Sequence, residues 1–315
     1  MRYFAIIAVS LAILGCSPTP RDLTSLYESR KAELIRTVKE EGIPQGILLL
    51  HRTVEHDQEL SGLCHGLAHE VGRAAYEKEG LSALQNDDDI CGSGYTHGII
   101  ETHFVRVADI ETALHSTCAE NAGKCFHGLG HGLMFASNNN LPASVERCKT
   151  LAKNSARIQC GEGVFMEHFN ADGMVHASVL LDPGDPFLAC RSVDEPYRGV
   201  CAFYAPRYYV RLHPRQYQAA IDWCASLPLA SAKACVKGVG SAAMKENILD
   251  PSVVLTVCDG ALGDFHPYCI EGLVSYYIVH FASVTKGREL CSKLPEADQA
   301  RCEAITRQSE PFFQD

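Results

Sequence analysis

Histidines four residues apart are the feature of this sequence with the most direct chemistry. His65 and His69 stand in CHGLAHE, His127 and His131 in CFHGLGH, and His97 is followed at the same distance by Glu101. On a helix of about 3.6 residues per turn, side chains at i and i+4 lie one above the other on one face. Such pairs can converge on one ion, and neutral imidazole suits zinc, copper, iron and nickel. The expected ligand set is His65, His69, His97, Glu101, His127, His131 and Glu162, enough for one full shell or for two adjacent ions. Glu70, Glu167 and His168 add donors nearby. The expected cofactor is a transition metal ion, whether zinc, copper or iron. If one position stays open for water or oxygen, Glu70, Glu101 or Glu162 is the candidate general base of a hydrolase or oxidoreductase. Placement in first helical turns keeps these imidazoles neutral, because the positive end of the helix dipole opposes a proton. It opposes a metal cation too, which the carboxylates must offset.

A single histidine beside glycine is usually a cap or a core residue, so the weight rests on how the histidines are distributed. Nine of the fourteen fall between His51 and His131. The stretch KCFHGLGHGLMF, from Lys124 to Phe135, has echoes starting at Cys91, Cys160, Cys235 and Cys269, with a shifted version at Cys64 and a degenerate one at Cys201. Aligned on their glycines, the copies fall at Gly66, Gly94, Gly128, Gly163, Gly238 and Gly272. One set of equivalent positions carries His65, Ser93, His127 and Glu162, and one turn later come His69, His97, His131 and Met166. Later copies place Lys237 and Ser241, then Glu271 and Ser275, on the same face, so potential ligands fade toward the C-terminus. Met166 is expected in the core rather than on copper. His51, His56, His115, His176, His213, His266 and His280 are expected to be structural or on the surface.

A period near 34 residues marks stacked helix pairs. Stacking sets equivalent positions of neighbouring long helices side by side, with axes about 8 to 10 Å apart, a span two imidazoles bridge. Gly128 and Gly132 line a stripe next to the histidines. Each glycine costs a helix about 1 kcal/mol, so two in one turn call for close approach of another helix.

The chain opens MRYFAIIAVSLAILGC, a positive residue and a short apolar run that read as a secretory signal peptide over 1–15. Ile13-Leu14-Gly15-Cys16 looks like a bacterial lipobox, which implies lipidation of Cys16, with 16–21 as a tether. Ser17 after it implies a protein anchored to the outer membrane and facing the periplasm. In that oxidising compartment the other fourteen cysteines are expected to pair. Spacing suggests Cys118 with Cys125, Cys148 with Cys160, Cys190 with Cys201, Cys224 with Cys235, Cys258 with Cys269, and Cys291 with Cys302. Cys64 and Cys91 pair by exclusion. Each spacing pair staples the turn of a helical hairpin and closes a short loop, for roughly 2 to 3 kcal/mol. Thiolate metal sites would favour CxxC pairs, and the sequence has none.

The fold class is all-α: a right-handed solenoid of antiparallel hairpins, one disulfide per hairpin, in a single domain over 22–315. A metal-site half at about 58–170 precedes a repeat half at about 171–315. Expected helices include 22–41, 45–56, 58–78, 110–120, 125–136, 142–153, 156–169, 216–227 and 230–247. Pro206 makes the Cys201 copy irregular. A secreted disulfide-stapled repeat of this length is similar in architecture to the cysteine-rich Sel-like repeat proteins, relatives of the tetratricopeptide repeat, across roughly Gly62 to Ala304. That resemblance implies scaffolding and peptide binding.

The net charge of −10, with no polybasic run, argues against nucleic acid. No HExxH, GxSxG, Walker loop or CxxCH occurs. Tyr204, Tyr208 and Tyr209 with Arg207 and Arg211 read as core, a concave binding surface being the rival. Three functions remain: an envelope lipoprotein that binds a transition metal, a metal-dependent enzyme using the same cluster, and a metal-free scaffold for an envelope protein or peptide.

Overall fold

The computed structural model describes residues 22–86, 88–118, 123–170, 178 and 180–313. The expected signal peptide, Cys16, the expected tether and His176 lie outside these residues. Four N-terminal helices, α1 (Leu23–Glu40), α2 (Ile43–His56), α3 (Gln58–Gly62) and α4 (Cys64–Glu79), lead into α5 (Ile90–Arg106). Then follow α6 (Ile110–Ser116), α7 (Gly123–Ala136), α8 (Leu141–Lys149), α9 (Asn154–Asn170), α10 (Leu188–Arg191) and α11 (Tyr197–Leu212). The chain continues through α12 (Tyr217–Ala225), α13 (Leu229–Glu246), α14 (His266–Phe281), α15 (Val284–Cys291) and α16 (Glu296–Ser309). Among the described residues there is no strand, only an isolated bridge between Asp182 and Asp185.

Side-chain caps fix several helix starts by satisfying amide donors that a first turn leaves unpaired. Asp22 accepts from Thr24, Asp57 from Glu59 and Leu60, Asp109 from Thr112, Asn140 from Ala143, and Ser283 from Lys286. The helix expected over 58–78 is divided at Leu63, whose backbone (φ −94°, ψ 0°) sits between α3 and α4. Pro206, expected to disturb its copy, lies inside a continuous α11. A proline there removes one helical hydrogen bond, at about 3 kcal/mol in an unsupported helix. Here α13 packs tightly against that turn: a Cβ on Gly238 would collide with the Phe203 carbonyl and lie 3.0 Å from Pro206 Cγ.

The long helices α4, α5, α7, α9, α11, α13 and α14 pack each on the next. Glycines set how closely. A methyl group on Gly98 of α5 would strike the His69 carbonyl of α4, and one on Gly163 of α9 would strike the His127 carbonyl of α7. Between α5 and α7 the expected stripe operates, with a Cβ on Gly128 2.7 Å from Ile100 and one on Gly132 3.0 Å from Phe104. The histidine-bearing backbones therefore pass unusually near one another.

All seven expected cysteine pairs are in place, with Cα atoms between 5.3 Å (Cys190 and Cys201) and 5.7 Å (Cys118 and Cys125) apart. Six join cysteines close in sequence, at the turns of the hairpins. Cys64–Cys91 ties the start of α4 to the start of α5. There Cys91, Gly92 and Ser93 are all left-handed (φ 60°, 67° and 59°), so regular helix begins only at Gly94.

The row of long helices also curls back on itself. α14 packs against α5. Ser61 Oγ lies 3.0 Å from His280 Nε2, and the Gln58 side chain both donates to the Glu246 carbonyl and accepts from the Leu249 amide. A cavity of about 610 Å³ is left in the middle, walled by residues of α4, α7, α9, α11 and α13.

Candidate metal centre

Helix α4 carries His65 and His69, α5 carries His97 and Glu101, α7 carries His127 and His131, and α9 brings Glu167. The close glycine crossings draw these side chains into one cluster. Ring centroids lie 4.5 Å apart for His65 and His69, 5.2 Å for His69 and His131, and 5.3 Å for His65 and His97. His97 stacks against His127 at 4.8 Å and against His131 at 4.9 Å, and those two rings are 5.2 Å from each other. One nitrogen from each of His65, His69, His97 and His131 lies within 4.8 Å of the other three. Glu101, His131 and Glu167 form a second set at the same tolerance, sharing His131.

Three of the rings are engaged at Nδ1, and this decides which nitrogen is left. His65 Nδ1 lies 2.7 Å from the Cys91 carbonyl, so it donates there and leaves its Nε2 lone pair free. The left-handed turn at Cys91 presents that carbonyl. His131 Nδ1 lies 2.9 Å from Glu167, and His69 Nδ1 lies 2.9 Å from Glu101 Oε1. A carboxylate or carbonyl on one nitrogen with the other free is the arrangement that orients metal-bound histidines. His65 Nε2 and His69 Nε2 are 2.9 Å apart, a contact between two lone pairs unless a proton or a cation lies between them.

Several buried atoms are left without hydrogen bonds. Both nitrogens of His97, Nε2 of His127 and Nε2 of His131 have no partner among the described residues, and Glu101 Oε1 meets His69 outside hydrogen-bond geometry. His97, Glu101 and His131 are 2 %, 1 % and 1 % exposed. An unpaired buried polar group costs about 1 to 3 kcal/mol, so four such residues at one point form an expensive arrangement for an empty core.

Charge is distributed to match. Burial, helped by the neighbouring imidazoles, holds His65, His97 and His131 well below the usual histidine range, so they present lone pairs at neutral pH. Burial pushes the Glu101 carboxyl up, but His69 and Arg73 outweigh it and hold it below the ordinary value. Arg73 donates to Glu101 Oε2 at 2.8 Å and to Glu70 at 2.6 Å. Glu167 goes the other way, raised to about 8 by burial and by the charge of Glu101.

The expected residues thus separate. His65, His69, His97, His131 and Glu101 come together. His127 stacks on His97 but stands outside both donor sets. Glu162 reaches only 3.9 Å from His127 Nδ1 and its side chain is 41 % exposed. Glu70, offered as a general base, is committed to Arg73 and lies 3.7 Å from Lys31. Glu167, named only as a neighbouring donor, occupies the place given to Glu162. It lies one residue beyond the repeat register, and the register position itself, Met166, is buried in the core. In later copies the equivalent positions carry an ion pair, Lys237 with Glu271 at 2.7 Å. His51 pairs with Asp88, His266 with Asp298 and His280 with Ser61, each away from the cluster.

Comparison with family models, with curated proteins and with solved structures finds no match to the chain. No helix among the described residues is long and apolar enough to cross a membrane.

Proposed function

We propose that this protein is an exported lipoprotein, anchored through Cys16, that binds a transition metal ion with His65, His69, His97 and His131. Glu101 and Glu167 orient His69 and His131, and with His131 they offer an adjoining nitrogen–oxygen site. Four imidazoles favour zinc or copper over magnesium or calcium, which prefer oxygen. The supporting observation is the convergence of four imidazole nitrogens from three helices, three of them on buried residues and those of His97 and His131 without a hydrogen bond among the described residues. A metal-dependent enzyme using the same centre is the second possibility, favoured by one observation: His65, His69, His131 and Glu167 also line the central cavity, where a small molecule can reach them.

Elemental analysis of untagged protein from the cell envelope tests the proposal. The native chain is expected to carry about one ion, and a His97→Ala, His131→Ala double variant at least about tenfold less. Substoichiometric metal that the double substitution leaves unchanged would leave a metal-free helical scaffold. Cys16→Ala is expected to move the protein from the membrane fraction to the soluble periplasm; unchanged fractionation would remove the lipid anchor.

A further inference from the structure

The wall of the central cavity opposite the histidines is cationic. Arg207 and Arg211 of α11 and Lys245 of α13 line it, facing His65, His69, His131 and Glu167. The Arg207 guanidinium lies over the rings of Tyr204, at 4.8 Å, and Tyr276, at 6.0 Å. Stacking holds it in place but uses none of its donors: Nε and Nη1 are buried without an acceptor among the described residues. The carboxylates of the cavity are turned elsewhere. Glu167 meets His131, and Glu246 accepts from the Tyr217 hydroxyl at 2.5 Å. Arg211 donates to the backbone carbonyl of Asn170, at 3.4 Å. Burial, reinforced by Arg207 and Arg211, pushes the Lys245 amine down to about 7. A guanidinium with two buried donors lacking an acceptor among the described residues, next to an amine that gains its proton when an anion is near, is an arrangement awaiting an anion.

We propose that this cavity binds a phosphate group, held by Arg207 and Lys245 and directed at the histidine cluster, an inference that rests on the metal centre proposed above for only one of its contacts. A dianion can take up both Arg207 and Lys245, where a single carboxylate would satisfy one of them. A guanidinium with Nε and Nη1 both free presents the fork that binds two oxygens of one phosphate. The remaining oxygens would point to the ion. A volume of about 610 Å³ exceeds what inorganic phosphate needs and lies within the usual range for small-molecule sites, so the ligand class is a small phosphate monoester. The sequence offered Tyr204, Tyr208, Arg207 and Arg211 as core or as binding surface. The two tyrosines are buried, and the two arginines line the cavity.

Calorimetric titration with inorganic phosphate and with phenyl phosphate, on zinc-loaded and on chelator-stripped protein, tests the site. Arg207→Gln and Lys245→Met, each first shown to unfold at the native temperature, are expected to weaken both ligands by about tenfold or more. Phenyl phosphate is expected to bind more tightly than inorganic phosphate. The His97→Ala, His131→Ala variant separates the two proposals. Binding that survives in it but is lost in Arg207→Gln supports the phosphate site even if the metal reading fails. Binding that depends on zinc and is indifferent to Arg207 and Lys245 would overturn the phosphate site and leave the metal centre standing. No binding by the native protein in either state would also overturn it.

Discussion

His97 is the residue on which the cluster's cost falls most heavily, since neither ring nitrogen has a partner and the side chain is 2 % exposed. Replacing an unsatisfied buried polar group by an apolar one of similar size is often stabilising. His97→Leu is therefore expected to make chelator-treated protein more stable by about 1 kcal/mol while removing the stabilisation that added zinc gives the native chain. Urea denaturation with and without zinc measures both, and a variant that is less stable in each condition would count against an ion-binding role. Protons should act on the same groups. His65, His97 and His131 have folded values depressed below the unfolded value near 6.5, so the stability they contribute is present above that pH and is lost as pH falls below it. Metal-free protein is expected to lose stability steeply below about pH 6.5, and His97→Leu less steeply. The histidine positions were legible in the sequence because they recur in register. Glu167 was legible only as a nearby donor, since it lies off register, and the Cys91 carbonyl was not legible at all, being a backbone atom turned by a left-handed stretch that spacing does not announce.

Between elements, a missing side chain does the positioning. Ala at Gly163 would drive a methyl group into the His127 carbonyl, whereas a Cβ on Gly62 meets nothing within 4 Å. Gly163→Ala is expected to cost about 2 kcal/mol or more and to weaken metal binding, and Gly62→Ala to be neutral or slightly stabilising. Equal effects in denaturation would show that these crossings do not set the helix spacing. Away from the centre, Asp88 beside the start of α5 accepts a hydrogen bond from His51 on α2 and raises its proton affinity. A raised value contributes stability below about pH 6.5 that disappears as pH climbs past it. Asp88→Asn should accordingly lower the melting temperature more at pH 5.5 than at pH 8; the opposite order would refute the pairing. The cysteine spacing sufficed to name six bridges, because a hairpin turn leaves few cysteines within reach, and exclusion left Cys64 and Cys91 for the seventh. Pro206 misled, since a proline's effect on its own helix is visible in sequence and the neighbour that supports it is not.

For the molecule as a whole, closure is the property no local pattern contained. Period and hairpin spacing describe how one unit follows the next, but whether the row meets its own beginning depends on small angles accumulated over seven long helices. The seam joins Gln58 and Ser61 to Leu249, Glu246 and His280. Weakening it with Gln58→Ala and Ser61→Ala is expected to raise amide exchange together in α3–α4 and in α13–α14, regions far apart in sequence. Faster exchange on one side only would mean that the ends touch without depending on each other.

That seam also imposes an order of assembly. The imidazoles come from α4, α5 and α7, and a nascent chain can gather them once its first half is free to fold. The cationic wall arrives later with α11 and α13, and the seam forms only when α14 follows, since pairings of large sequence separation are made last. A metal ion would thus meet an open nest during synthesis and a roofed one afterwards, making uptake fast in the newborn chain and exchange slow in the finished protein.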